Sequence, residues 1–250
     1  MPEPDLYLDL MKKVLTNTVY EDAPVASVVS RGTAYDPDLR ERGGDWPAVA
    51  HTMVGLRRLD DVHACLERVV ADGVPGDFVE TGVWRGGVCI FARAFLAARG
   101  ITDRLVWVAD SFEGIPPTSD CRHPVDRLMR LDASNEVLAV SRKQVERNFE
   151  KYDLLDDRVR FIEGWFHETL PTAPVERIAV LRLDGDLYES TMTALEHLYP
   201  KLSPGGYLIV DDYGAVPSCR DAVHEYRERH GITEPIHRVD HMAVHWRRGG

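Results

Sequence analysis

Apolar residues recur along this chain with two different periods. Short, nearly unbroken apolar runs stand at Phe78-Val79, Leu105-Val-Trp-Val-Ala109, Val159 to Ile162, Ile178-Ala-Val-Leu181 and Tyr207-Leu-Ile-Val210. That is the pattern of strands covered on both faces of a parallel sheet. Between them lie helix-length stretches, 88–99, 137–152, 190–202 and 218–230, and the chain closes with an apparent hairpin over Ile236 to Trp246. Alternating strand and helix predicts a doubly wound α/β sheet, mostly parallel, with an antiparallel edge.

The polar residues that interrupt this pattern are informative where they end a strand. Ile178-Ala-Val-Leu-Arg-Leu-Asp-Gly-Asp186 and Tyr207-Leu-Ile-Val-Asp-Asp212 both finish in carboxylates, and the segment 190–202 with Ser203-Pro-Gly-Gly206 joins them as one strand-helix-strand unit. Neighbouring strands, about 4.8 Å apart, would bring Asp184, Asp211 and Asp212 together at the carboxyl edge, where open α/β sheets bind ligands. A lone strand-end acid such as Asp186 reads as a turn former or helix cap. The doublet facing another acid would repel without a counter-ion, which points to a hard divalent ion with oxygen ligands.

Ahead of the sheet, Leu6 to Tyr20 carries apolar residues at helical spacing (Leu6, Leu10, Val14 with Leu8, Met11, Leu15) and predicts an amphipathic helix whose apolar face needs a partner, expected to be another subunit. Pro47 to Val70 predicts a helical region with Met53, Leu56, Leu59 and Val62 on one side. Val25 to Asp45 is polar and glycine-bearing, which reads as a mobile surface segment, while Tyr35 and Trp46 suggest a lid over the active site. Residues 1–70 therefore read as helices and lid, 76–250 as the sheet core, and 1–250 as a single domain.

Composition narrows the partners. A formal charge of −11 with no long Lys/Arg run argues against a sequence-independent nucleic-acid binder. Four well-separated cysteines, Cys65, Cys89, Cys121 and Cys219, with no signal-peptide pattern, lead us to expect reduced thiols in the cytoplasm. No apolar stretch approaches the roughly 20 residues that span a bilayer.

Gly76-Asp-Phe-Val-Glu-Thr-Gly-Val-Trp-Arg-Gly-Gly87 runs from a strand through a glycine turn into a helix, an arrangement that lets backbone approach a nucleotide-like ligand. It is no dinucleotide fingerprint. The middle glycine is absent, and Glu80 would repel a pyrophosphate, so a cationic or amino-bearing ligand suits it better. Asp110, ending the next strand, is placed to accept from ribose hydroxyls, with Ser111, Phe112, Glu113 and Gly114 beside it. Pro116 to Asn135 reads as an irregular substrate wall whose His123 is a surface loop residue. Gly164-Trp165-Phe166 follows another strand, and its aromatics either stack on adenine or cap the core.

Taken together these features resemble class I S-adenosylmethionine-dependent methyltransferases, whose sheet has seven strands with the last antiparallel. Leu6-Tyr-Leu-Asp-Leu10, Ala50-His-Thr-Met53, Glu80-Thr-Gly-Val-Trp-Arg-Gly-Gly87, Ala109-Asp-Ser-Phe112, Arg182 to Ser190 and Val210-Asp-Asp-Tyr213 are similar to the macrocin/mycinamicin O-methyltransferase family. That family methylates a deoxysugar hydroxyl of an antibiotic and needs magnesium. The resemblance implies a donor site of Thr52, Met53, Glu80, Thr81, Gly82, Val83, Trp84, Asp110, Ser111, Phe112, Gly114, Gly164, Trp165 and Asp184. It implies a magnesium site of Asp184, Asp211 and Asp212, with Asp184 also the general base. A small-molecule glycoside, no nucleic acid, no membrane, and a dimer or tetramer of the chain are the implied partners. A catechol or phenol methyltransferase and a non-catalytic binding protein of the same fold are the alternatives.

Overall fold

The computed structural model describes residues 3–27 and 34–250. Seven strands, β1 (Asp77–Thr81), β2 (Val106–Asp110), β3 (Val159–Glu163), β4 (Ile178–Leu183), β5 (Leu202–Val210), β6 (His237–Arg238) and β7 (Val244–Arg247), form one sheet in the order β3-β2-β1-β4-β5-β7-β6. The pairs from β3 to β5 are parallel and β7 runs antiparallel to β5 and β6, as the alternation of periods predicts. The winding reverses between β1 and β4, so their carboxyl ends open the crevice in which such sheets take a ligand.

The helices are α1 (Glu3–Leu15), α2 (Pro37–Glu41), α3 (Gly55–Ala71), α4 (Gly87–Ala98), α5 (Pro124–Met129), α6 (Asn135–Leu138), α7 (Arg142–Glu150), α8 (Phe166–Thr169), α9 (Tyr188–Leu198) and α10 (Pro217–Arg229). α4 is apolar all round because it is covered all round: its residues from Gly87 to Leu96 are buried. The outer cover is α1, whose Leu8, Met11 and Leu15 join Val88, Phe91 and Phe95 in one core. The expected partner of the first helix is thus α4 of the same chain for that face. Leu6 and Leu10 remain 62% and 54% exposed on the other.

Several boundaries differ from the expectation: the first helix ends at Leu15 rather than Tyr20, and three other differences have a local reason. Ser141 accepts from the Gln144 N–H and starts a new helix, which splits 137–152 into α6 and α7. Ser203 to Gly206 belongs to β5 rather than to a turn: Ile178 pairs with Leu202 and Val180 with Tyr207, so the additional residues bulge, and Arg247 and Arg248 hold Gly205 in place. Pro47 to Val54 is not helical. It is strapped between α1 and α4, its His51 and Thr52 N–H groups donating to the Leu15 carbonyl and its His51 carbonyl accepting from Gly87.

Residues 28–33 of the expected lid lie outside the described residues. The base of that segment is closed by the Val25 N–H on the Trp46 carbonyl at 2.7 Å. Residues 36–46 are not a loose surface strand, because Arg40, 1% exposed, ties Asp22, Asp45 and the Thr16 carbonyl into one buried network. Pro116 to Asn135 is likewise shorter on irregular backbone than expected, since it holds α5. Among the described residues no helix is long and apolar enough to cross a membrane.

Candidate active site

The centre of the site is a charge that an apolar strand is not expected to carry. Arg182, one residue before the carboxyl end of β4 and 1% exposed, lies beside Glu80 in the β1–β4 register. A guanidinium cannot shed its proton, so in this position it must be met by anions. Its Nη1 donates to Glu80 Oε1 at 2.6 Å and to Asp184 Oδ2 at 2.7 Å, and its Nη2 donates to Asp211 Oδ1. The second Asp211 oxygen accepts from Arg58 of α3, whose Nε is 3.2 Å from Asp240. Arg58 also reaches the Gly43 carbonyl, at 3.2 Å, in the segment that carries α2.

This corrects the inference that the acids face one another without a counter-ion. For Asp211 the counter-ions are internal. Burial would raise its pKa, but Arg182 and Arg58 outweigh that and hold the carboxyl below its usual range. Asp212, the next residue, has no such neighbour. Its carboxylate accepts from the Asp186 N–H at 3.0 Å, and burial together with Asp186, Asp184 and Asp211 pushes it well above the usual range. Burial with Asp184, Asp211 and Asp126 raises Asp186 to about 8, and burial, partly relieved by Arg182, with Asp211 raises Asp184 to about 6. Asp186 has φ 54°, so the turn-forming role read for it holds.

The residues fit a divalent cation, though for a narrower reason than sequence implied. One ligand atom each of Asp184, Asp211 and Asp212 lies within 4.8 Å of the others. Glu80, Asp184, Asp186, Asp211, Asp212 and Asp240 make six carboxylates against two guanidiniums. The negative excess concentrates on Asp186 and Asp212, with Asp184 between them and Arg182.

On the other flank, the turn after β1 is held by Asp110. Its carboxylate, half-buried at the end of β2, accepts from the N–H groups of Val83 (2.7 Å), Trp84 and Phe112 (2.8 Å), and desolvation still leaves its pKa raised. The carboxylate read as a ribose acceptor therefore first builds the pocket by tying two loops together. Trp84 and Phe112 sit at φ 48° and 57°, a costly region for large side chains that persists where surrounding structure dictates it. Gly82, at φ 82°, packs so closely on β4 that a Cβ there would overlap the Asp184 carbonyl. Gly87 is pressed in the same way on His51 and Thr52, which brings Thr52 and Met53 to the glycine turn. The Gly164 N–H meets the Asp110 carbonyl at 3.0 Å, and Trp165, half-buried, leads into α8. Ser111 donates to the Gly114 carbonyl, closing the loop after β2. Phe112 points into the core towards Phe161.

Glu80 departs most from its expected role. It is 1% exposed, with one oxygen on Arg182 and the other accepting from the Cys89 thiol at 2.8 Å, and burial opposed by Arg182 leaves its pKa at about 7. It acts on the pocket through Arg182 and the β1 backbone rather than as an open anchor.

The chain matches the family model described as macrocin-O-methyltransferase (TylF) over residues 4–248. It is 63% identical over 243 residues to 8-demethyl-8-(2,3-dimethoxy-alpha-L-rhamnosyl)-tetracenomycin-C 4'-O-methyltransferase of Streptomyces olivaceus, covering 97% of this chain and 92% of that protein. It is 54% identical over 246 residues to mycinamicin III 3''-O-methyltransferase of Micromonospora griseorubida, covering 98% and 96%. The solved structure of the O-methyltransferase NovP superposes with a TM-score of 0.94 at 53% identity, covering 99% of this chain and 100% of that one. The chain belongs to the macrocin O-methyltransferase family and is an S-adenosylmethionine-dependent O-methyltransferase.

Proposed function

We propose that the enzyme methylates a hydroxyl of a deoxysugar on a glycosylated natural product, with Asp184 as general base and a divalent ion, magnesium, held by Asp184, Asp211 and Asp212. The observation that carries this reading is the packing of Gly82 on the Asp184 carbonyl, which sets the donor turn and the proton acceptor side by side at the switch point. The relatives' named substrates, a dimethoxyrhamnosyl tetracenomycin and a mycinamicin, supply the class of acceptor.

In this reading the turn from Thr81 to Trp84, with Thr52 and Met53 behind it and Asp110 to Gly114 beside it, binds the donor and orients its methyl group towards β4. Gly164 and Trp165 bound the nucleoside end. Asp184 Oδ2 is fixed by Arg182, which leaves Oδ1 to accept the proton of the acceptor hydroxyl as its oxygen attacks the methyl carbon. A sugar hydroxyl is a far weaker acid than a carboxyl group, so position and field must do much of the work. The divalent ion, when bound, supplies Lewis-acid polarisation of that hydroxyl. A cavity of about 400 Å³ lined by Tyr213, Asp240, His241 and Met242 adjoins the acid doublet and offers room for the rest of the glycoside. The exposed Leu6 and Leu10 of α1 contribute to a dimer or tetramer. Four free thiols suit an enzyme of the cytoplasm.

Labelled S-adenosylmethionine offered with a panel of rhamnosides and catechols tests the assignment. Transfer to a rhamnoside bearing a free hydroxyl is the expected result; transfer to catechols alone would overturn it.

A further inference from the structure

We infer that Arg182 is a positioning residue that couples the donor pocket to the acid cluster, so that the state of Asp211, two strands away, is felt in the affinity for the donor. The inference rests on the site reading above and concerns a residue to which that reading gives no part in donor recognition. One guanidinium joins three strands: it holds Glu80 on β1, Asp184 at the end of β4 and Asp211 after β5. The contacts to Glu80 and Asp211 are buried, with side-chain exposures of 1% and 4%, and the contact to Asp184 is part-buried at 26%.

Such a hub is under-satisfied on the remaining side. Arg182 Nε is buried and lacks a hydrogen-bond partner, so the loss of any one of the three acceptors leaves the cation further under-satisfied. It can only redistribute over the two that remain. Loss of the Asp211 charge leaves the cation to Glu80 and Asp184. Glu80 lies one residue before Thr81, whose carbonyl accepts from the Asp184 N–H at 2.8 Å, and two before Gly82. A shift of the guanidinium therefore bears on the turn that receives the donor, and it neutralises the carboxylate whose field favours the donor's ammonium and sulfonium. By linkage the effect is reciprocal, so a bound donor also shifts Arg182 relative to Asp211. A lysine, with one compact ammonium, cannot bridge three carboxylates on three strands.

The test needs neither acceptor nor metal. S-adenosylhomocysteine is titrated calorimetrically into metal-stripped protein of four kinds: unaltered, Asp211→Asn, Arg182→Lys and the double variant, each first checked for a cooperative melt. Asp211→Asn is expected to weaken binding about fivefold or more, and that loss is expected to vanish in the Arg182→Lys background. Unchanged affinity in Asp211→Asn overturns the coupling. An equal loss in both backgrounds also overturns it, because a through-space field would act on lysine as well. Should Asp211→Asn not fold, Asp184→Asn removes another partner of Arg182 and carries the same comparison; should Arg182→Lys not fold, Glu80→Gln cuts the donor-side link instead. Failure of the unaltered protein to bind S-adenosylhomocysteine would sink the donor site itself, a result distinct from absent coupling.

Discussion

Asp211 and Asp212 are neighbours in sequence, both buried, and electrostatic opposites. The first is clasped by Arg58 and Arg182 and ionises more readily than a free aspartate; the second is pressed by three like charges and ionises far less readily. The contrast extends to the whole cluster. Its inner half, Glu80-Arg182-Asp211-Arg58, is an ionic lattice that reaches Asp184 at one edge, and its outer half, Asp186 and Asp212 beside Asp184, has no arginine of its own. Burial of an acid is thus compatible with two opposite purposes, a structural strut and a site that asks for a cation from outside. The difference lies in which neighbours stand within a few ångströms.

The largest expected effect separates these halves by the sign of a stability change. Asp211→Asn should cost the metal-free protein about 3–5 kcal/mol, because it leaves two buried guanidiniums short of an anion. Asp212→Asn should raise the melting midpoint of the same protein by replacing a carboxyl whose ionised form burial and the neighbouring acids disfavour. Two melts in chelator decide it, and a loss of stability in both variants would erase the distinction.

Asp184 stands between the halves, and its substitution sharpens the functional side of the contrast. Asp184→Asn is expected to lower turnover by about 10²-fold or more while donor affinity changes by much less, since base catalysis is lost and the pocket is kept. Parallel rate and calorimetry series check this; a donor affinity that falls as far as the rate would reassign Asp184 to binding.

A smaller effect tests the donor flank. Asp110→Ala should cost about 1–3 kcal/mol of S-adenosylhomocysteine binding, because charge-assisted bonds to the Val83, Trp84 and Phe112 N–H groups are lost and the two loops part. The pH dependence is gentler again. Asp184 and Asp186 are raised in the folded protein to about 6 and about 8, above the unfolded value of 3.8, so their favourable contribution is full below that value and is lost as pH rises through 6 and 8. The metal-free protein should therefore melt lower at pH 8 than at pH 6, and added magnesium should raise the midpoint more at pH 8. Equal magnesium shifts at both pH values would place the ion away from these acids.

Much of this was readable from residues alone. The change of apolar period marked strands and helices, and the acid doublet after β5 marked the carboxyl edge. The ionic lattice was not readable, because Glu80 and Arg182 are 102 positions apart and Arg58 and Asp211 are 153 apart, and only the sheet order brings them together. Arg182 did leave a trace, as a lone charge inside an apolar run that implies a buried anion somewhere. The partner of α1 had its own trace in α4, which is apolar on every side and so needed cover on every side. Arg40 left none: a single arginine in a polar glycine-bearing segment looks like a surface residue until its partners Asp22 and Asp45 are seen around it.

The central claim is that Asp184, Asp211 and Asp212 serve catalysis by taking a divalent ion. It is tested most directly by stripping the protein of metal and following methyl transfer from labelled S-adenosylmethionine to a rhamnoside that the untreated protein methylates, with S-adenosylhomocysteine binding measured on the same samples. Turnover should vanish in excess chelator and return with magnesium, while donor binding stays within a fewfold of its starting value. Full turnover by the stripped protein in excess chelator would contradict the claim and leave Asp184, Asp211 and Asp212 as structural acids.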